Sequence, residues 1–476
     1  MIKKWLSHYH PRYVRSLIYM LQQSEYDVRD YLRWYRRVED FSHVERRKQL
    51  VKTLKALLLL FVGWLMVASM IATGIVFLLN DRTVLRFIIF VIWIIAVPYL
   101  LAYIIPVFVF LIKLGQKPIE YILIFRAKKK LRGHKGFKIA IAGSFGKTSM
   151  REILKTVLAE EKKVAAPPQS YNTPLSICKF IDGLQGDEEI LIFELGEYYP
   201  GDVRKLCNLI QPDIGVITGV NEAHLQKFKN LERTARTIFE LSDFLGEKPV
   251  FINGENEKAR MYTLPRHIIY TRKGAGNIKV MHPYTDLAGI IFTLDIHGHE
   301  MNMRSSLLGL HQVGPLVAAA NIAYRLGVSF DAIQKGLNKT KPFDHRLEPK
   351  TDAHGVITLD DSYNGNPDGV KAVIEFLASF KGHRRIYVTP GLVEMGSRMQ
   401  EVHREIGREL ASAGIERIIL IKNSVTPYID QGLKESGYAG EIVWFDDGLS
   451  ALAALPHLTV SGDIVLLQND WPDQYA

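Results

Sequence analysis

The densest chemistry in this 476-residue chain lies in one run, Gly143-Ser144-Phe145-Gly146-Lys147-Thr148-Ser149. Two glycines permit a tight turn that exposes backbone N–H groups, and a lysine and a hydroxyl follow at the start of a helix. Such a turn holds phosphate. The N–H groups and helix dipole receive the anion, Lys147 reaches the terminal phosphates, and Thr148 offers its hydroxyl to Mg²⁺. The match is to a shortened phosphate loop, because the first glycine of G-x-x-x-x-G-K-[ST] falls at Ile141.

The elements that must position this turn read as alternating strands and helices. Apolar strand candidates "KIAIAG", "EILIFELG", "DIGVITGV" and "PVFING" alternate with helical stretches such as "TSMREILKTVLAEEK" and "LERTARTIFELSDFL". That pattern predicts an α/β fold with a mostly parallel sheet. Residues 265–305 read as β-rich, and the polar, proline-bearing "KTKPFDHRLEP" marks a boundary between an α/β domain over 136–343 and a second over 344–476. The second series runs through "GVITLDDSYN", "RIYVTPG", "RIILIK" and "DIVLLQND".

Upstream, the pattern changes. Ala56–Leu79 and Phe87–Ile112 carry no charged residue, and each exceeds the roughly 20 helical residues that cross a hydrocarbon core. They predict a transmembrane hairpin within residues 54–113, with Pro98 and Pro106 kinking the second span or making it partly re-entrant. Lys and Arg crowd both flanks while the connecting loop is only "NDRTVLR", so both termini, and with them the domains after residue 136, are expected on the cytoplasmic side. Residues 1–53 read as a basic amphipathic cytoplasmic segment, lying in the membrane interface or packed on the soluble domain. The net charge is +10, and the basic residues crowd the first ~140 positions, which favours anionic lipid as partner over nucleic acid. With only Cys178 and Cys207, neither a disulfide framework nor a zinc site is expected.

The flanking motifs narrow the family. "GSFGKTS", "SYNTPLS", "IFELG", "GVNEAHLQKF", "DHRLEP", "DDSYNGNPDGVKAVIEFL" and "PGLVEMGSRMQEVHREIG" follow the order and approximate spacing of the Mur ligases. The chain resembles that family over about 137–465. The resemblance implies a central ATPase domain, a Rossmann-like C-terminal domain that closes over the nucleotide, and ADP-forming amide ligation through an acyl phosphate, with ATP and Mg²⁺ as cofactors. It implies a muramyl-peptide precursor, UDP- or lipid-linked, as carboxylate substrate and D-alanyl-D-alanine or a similar amino acid or dipeptide as amine, in cell-wall peptidoglycan synthesis beside other cell-wall enzymes. By the same resemblance Lys147, Glu194 and His224 are catalytic, and Thr148, Glu194 and His224 hold the metal. Asn172 and Thr173 face the substrate. Gln312, Arg346, Asp361 and Asn364 join Gly143 to Ser149 in contacting the nucleotide.

Four departures accompany the resemblance. Ile238 stands where the family has a carbamylated lysine, with Arg236 or Glu240 as candidate substitutes. The adenine-end "HNxxN" segment reads "HQVGP", with Gln312 and Pro315. The C-terminal "KGSR" segment aligns with "QNDWPD". A UDP-sugar-binding domain is missing from the position that the apolar hairpin occupies. Two other readings stay open: a membrane-associated poly-γ-glutamate-type ligase, and a nucleotide-binding scaffold with weakened catalysis.

Overall fold

The computed structural model describes residues 2–45, 49–80, 83–168, 171–222, 228, 230–343, 345–362, 365–393 and 395–469. The chain forms two compact units, one running to Ile122 and one from Leu123 onward. In the first, α1 (Ile2–Ser7), α2 (Tyr13–Gln23) and α3 (Val28–Arg37) precede two long helices, α4 (Leu54–Leu79) and α5 (Val84–Gly133), and α5 continues past Ile122 into the second. Both long helices are apolar and long enough to cross a membrane.

Helix α5 continues through Pro98 and Pro106, so the partly re-entrant turn that the prolines suggested is not formed. A proline in a helix leaves the carbonyl four residues earlier without its N–H partner. Tyrosines of the N-terminal segment bond carbonyls along this stretch. The Tyr31 hydroxyl donates to the Ala102 oxygen freed by Pro106, at 2.9 Å. Tyr13 and Tyr9 donate to the Pro98 and Ile95 carbonyls at 3.0 and 2.9 Å. The N-terminal segment accordingly shares one core with the long helices: Leu17, Ile18, Tyr31 and Phe41 are buried with Ala56, Leu59, Leu101 and Ile105.

The second unit contains two sheets. The first has the order β10-β9-β8-β7-β6-β5-β4-β1-β3-β2. Its parallel part comprises β1 (Phe137–Ala142), β2 (Val164–Ala165), β3 (Ile190–Glu194), β4 (Ile214–Ile217), β5 (Val250–Asn253) and β6 (Ile268–Thr271). The antiparallel extension β7 (Gly274–Ala275), β8 (Ile278–Asp286), β9 (Gly289–Ile296) and β10 (His299–Ser305) accounts for the β-rich section. The central strands are buried throughout, as a parallel sheet covered on both faces requires. Their cover comes from α6 (Lys147–Leu158), α7 (Pro174–Asp182), α8 (Asp202–Ile210), α9 (Leu231–Leu245), α10 (Val313–Arg325) and α11 (Phe330–Asn338).

The second sheet has the order β11-β12-β16-β13-β14-β15, parallel except for its edge strand β11. These strands are β11 (Glu348–Thr351), β12 (Ile357–Asp361), β13 (Arg385–Thr389), β14 (Arg417–Ile421), β15 (Glu441–Phe445) and β16 (Ile464–Gln468). Helices α12 (Pro367–Ala378), α13 (Met399–Ser412), α14 (Thr426–Glu435) and α15 (Gly448–Leu458) connect them. Between the sheets, His345 and Leu347 have φ of 62° and 49°, the left-handed region that non-glycine residues seldom adopt.

Candidate active site

Strand β1 delivers the chain to the phosphate loop, and α6 leaves from it. Gly143 (φ 146°) and Gly146 (φ 72°) take backbone conformations that a side chain would oppose. At Gly143 an added Cβ would also collide with the Thr218 hydroxyl. The same hydroxyl donates to the Phe145 carbonyl, and Ser144 N–H donates to Gly219 O at 2.9 Å, so the turn is braced from the end of β4.

Register then sets the charged groups. Ile141 lies opposite Glu194 in the β1–β3 ladder, bringing the end of β3 beside the loop. The Thr148 hydroxyl donates to Glu194 Oε2 at 3.1 Å. Arg151 Nη1 stands 2.7 Å from Glu194 Oε1, near enough for ion pairing but without hydrogen-bond alignment. Three residues further on, the nearly buried Glu197 holds Lys147 Nζ with both oxygens at 2.9 Å, while the ammonium also donates to Gly143 O. Ser149 follows in the first turn of α6. Asn172 O accepts from Gly196 N–H at 2.9 Å, and Thr173 opens α7, so the expected substrate-side residues border this turn.

The second sheet approaches the loop through Asn221. Its backbone N–H donates to Ser144 Oγ at 3.3 Å, and its amide donates to Asn366 at 2.8 Å and Asp368 at 3.1 Å at the start of α12. Buried Glu222 pairs with Lys258 at 2.7 Å and with Arg398, which immediately precedes α13. A further cross-link joins Arg272 to Glu375 at 2.9 and 3.1 Å. Gln312 lies at the start of α10 with its amide 3.2 Å from His311 Nε2. Burial and the nearby Arg272 push the His311 imidazole down to about 4.

At the end of β12, two neighbouring carboxylates behave differently. Asp360 accepts from Ser362 Oγ at 2.7 Å and lies 2.9 Å from His345 Nδ1; these bonds outweigh its burial and hold its pKa below the usual carboxylate value. Burial instead pushes Asp361 up to about 6, although the Gln468 amide, at 2.9 Å, and the Arg346 charge act downward. Arg346 thus stands within electrostatic reach of Asp361. His224 and Asn364 lie outside the described residues.

The candidate substitutes at the carbamylated-lysine position are engaged elsewhere. Ile238 is fully buried in the core under the sheet. Glu240 caps the start of α8, accepting from Gly201 and Arg204 N–H groups at 2.9 Å each. Arg236 is exposed on α9 and pairs with Glu232. Motif reading missed Glu197, Arg151 and Asn221. Their only sequence signal was adjacency: "ELGE" continues beyond Glu194, and Asn221 precedes Glu222 in "GVNEAHL".

The residues present fit a nucleotide and its magnesium. The glycine turn and helix N-terminus form an anion cradle, Lys147 adds a cation, and the Thr148–Glu194 pair supplies hard oxygen donors suited to Mg²⁺.

Comparison with known proteins agrees with this geometry. Residues 141–323 match the Mur ligase middle domain, and 345–468 match the Mur ligase glutamate ligase domain. The UDP-N-acetylmuramoyl-tripeptide–D-alanyl-D-alanine ligase of Mycobacterium tuberculosis is 28% identical over 354 residues, 69% of each chain. The Escherichia coli enzyme of that name is 26% identical over 292 residues, 60% of this chain and 64% of that one. Among solved structures, MurF ligase from Thermotoga maritima in complex with ADP is 25% identical with a TM-score of 0.65, covering 74% of this chain and 80% of that one. The matched segments carry both the phosphate loop and the sheet that meets it through Asn221, and the chain belongs to the Mur ligase family of ATP-dependent, Mg²⁺-using ligases.

Proposed function

We propose that this ligase forms an amide bond on a peptidoglycan precursor, joining D-alanyl-D-alanine or a similar amine to a muramyl peptide at the inner face of a bacterial membrane. The observation that carries the reading is the Thr148–Glu194 contact of 3.1 Å beside Lys147, at the junction of a phosphate loop and a neighbouring strand end. The names of the relatives supply the substrate class, and the two long apolar helices support membrane anchoring.

In this reading Lys147 meets the terminal phosphates of ATP, and Thr148, Glu194 and His224 hold Mg²⁺, which neutralises phosphate charge when bound. The substrate carboxylate, oriented beside Asn172 and Thr173, takes the γ-phosphate and ADP departs. The amine nitrogen then attacks the acyl carbon, phosphate leaves, and the nitrogen gives up its proton as the amide forms. The chain's contribution is positioning and charge compensation, as in other phosphoryl transfers. Gln312, Arg346, Asp361 and Asn364 hold the rest of the nucleotide, and residues 136–343 and 344–476 act as the two closing domains. Anchoring would concentrate the enzyme around a lipid-linked acceptor.

The test is phosphate release from ATP by the detergent-solubilised protein, with UDP-linked or lipid-linked muramyl peptide and either D-alanyl-D-alanine or glutamate. Release that needs a muramyl peptide, an amine and Lys147 is expected. Release that needs none of the acceptors would overturn the reading, and product that lengthens with glutamate alone would replace it with polymer synthesis.

A further inference from the structure

The first unit holds a groove that plays no part in the ligase chemistry. Its volume is about 570 Å³, within the ~300–1,000 Å³ range of small-ligand pockets. Its walls are aromatic, from Trp5 of α1, Tyr35 of α3, and Tyr99 and Tyr103 of α5. Lys4 and Arg36 supply its cations, and no carboxylate lines it among the described residues. Lys4 Nζ donates to Arg36 O at 3.1 Å, which brings the two cationic residues together. The Arg36 guanidinium makes no ion pair among the described residues, so its donors remain available to an incoming anion.

The groove is built in advance. His8, beneath it, stacks on Tyr99 with ring centroids 4.5 Å apart and donates from Nδ1 to Lys4 O at 2.7 Å. Burial lowers the His8 pKa and keeps the ring neutral at pH 7. The Tyr9, Tyr13 and Tyr31 hydroxyls pin the same stretch of α5 through the carbonyls of Ile95, Pro98 and Ala102. On the side of the groove toward the loop between them, α4 and α5 expose Ile75, Val76, Phe77, Ile88, Ile89 and Ile92.

We propose that this groove binds the headgroup of an anionic phospholipid, with phosphate oxygens accepting from Lys4 and Arg36 and the aromatic walls flanking the glycerol and first acyl carbons. The aromatic walls favour this occupant over free phosphate, which has no apolar part to match them. Two cations without an acid in the lining exclude a cationic ligand, and tyrosine and tryptophan suit the boundary between headgroup and acyl chain. The inference rests on the reading of α4 and α5 as membrane spans, with the cytoplasmic boundary at Tyr99 and Tyr103, where the basic N-terminal segment packs on α5, and not at Ile112.

Native mass spectrometry of the full chain, released from nanodiscs of mixed phosphatidylcholine and phosphatidylglycerol, tests it. The wild type is expected to retain phosphatidylglycerol at least about fivefold over phosphatidylcholine, a preference of the size two interfacial cations can supply. Lys4→Ala with Arg36→Ala should abolish it, and the charge-matched Arg29→Ala with Arg33→Ala should keep it. Arg36→Gln alone, expected to weaken retention, serves if the double variant does not fold. Equal loss in both double variants, or no preference in the wild type, would overturn the site. Displacement by free glycerol 3-phosphate would overturn it in favour of a soluble ligand. Failure of the protein to enter nanodiscs would overturn the membrane reading itself, whereas entry without lipid preference removes only this site.

Discussion

The ends of β1 and β12 occupy comparable positions in their sheets but are built from opposite chemistry. Beyond β1 the chain offers backbone N–H groups, two glycines at positive φ, and Lys147. At the end of β12 it offers Asp360 and Asp361. The first arrangement attracts anionic phosphate, and the second repels it and can accept hydrogen bonds from hydroxyls or amides. A nucleotide has both kinds of end. In the proposed reading, the contrast teaches that two sheets become complementary halves of one nucleotide site through a few residues at the ends of their parallel strands.

The largest way to break this comparison is Lys147→Ala. It removes the loop's single side-chain cation and should lower kcat/KM by about 10²–10³, as loss of one preorganised charge-stabilising group does elsewhere. Acceptor-dependent phosphate release measures it, and an unchanged rate would place the chemistry elsewhere.

Next comes the carboxylate side. Because burial raises the Asp361 pKa to about 6 in the fold, the protonated form is stabilised there. That contribution is complete below the unfolded value near 4 and is lost as pH rises through about 6, leaving a penalty of order 3 kcal/mol at neutral pH. Asp361→Asn should therefore raise the melting temperature at pH 7 and flatten its dependence between pH 4 and 7. A variant whose melting temperature still falls across that window would show that another group titrates.

A smaller effect is expected at Glu197, which competes with phosphate for Lys147. Glu197→Gln should tighten ADP binding by about fivefold, near 1 kcal/mol, in calorimetric titration. Weaker binding would instead assign Glu197 a supporting role toward the bound nucleotide or its magnesium. The smallest expected change is at Arg398, partly exposed and one of two cations on Glu222. Arg398→Ala should lower stability by about 1 kcal/mol or less in denaturant titration, because Lys258 still compensates the buried carboxylate.

Local patterns in the chain already determined the alternation of strand and helix, the glycine turn between β1 and α6, and the two long apolar helices. Each is written in neighbouring residues: a glycine turn needs its glycines in place, and a buried strand or apolar helix is a contiguous run. The motif order in the chain also carried the family. Only the tertiary structure decided which groups share the site. Glu197 meets Lys147 because β3 lies next to β1 in a register that pairs Ile141 with Glu194. Glu240 faces the start of α8, and Ile238 turns into the core of the same helix layer, a distinction set by how α9 is rotated against the sheet. At Pro106 the backbone bond that α5 loses is likewise replaced from a distance, by the Tyr31 hydroxyl donating to the freed Ala102 carbonyl. Strand register, helix rotation and rescue of a lost backbone bond are contacts between distant segments, so local sequence pattern alone does not specify them.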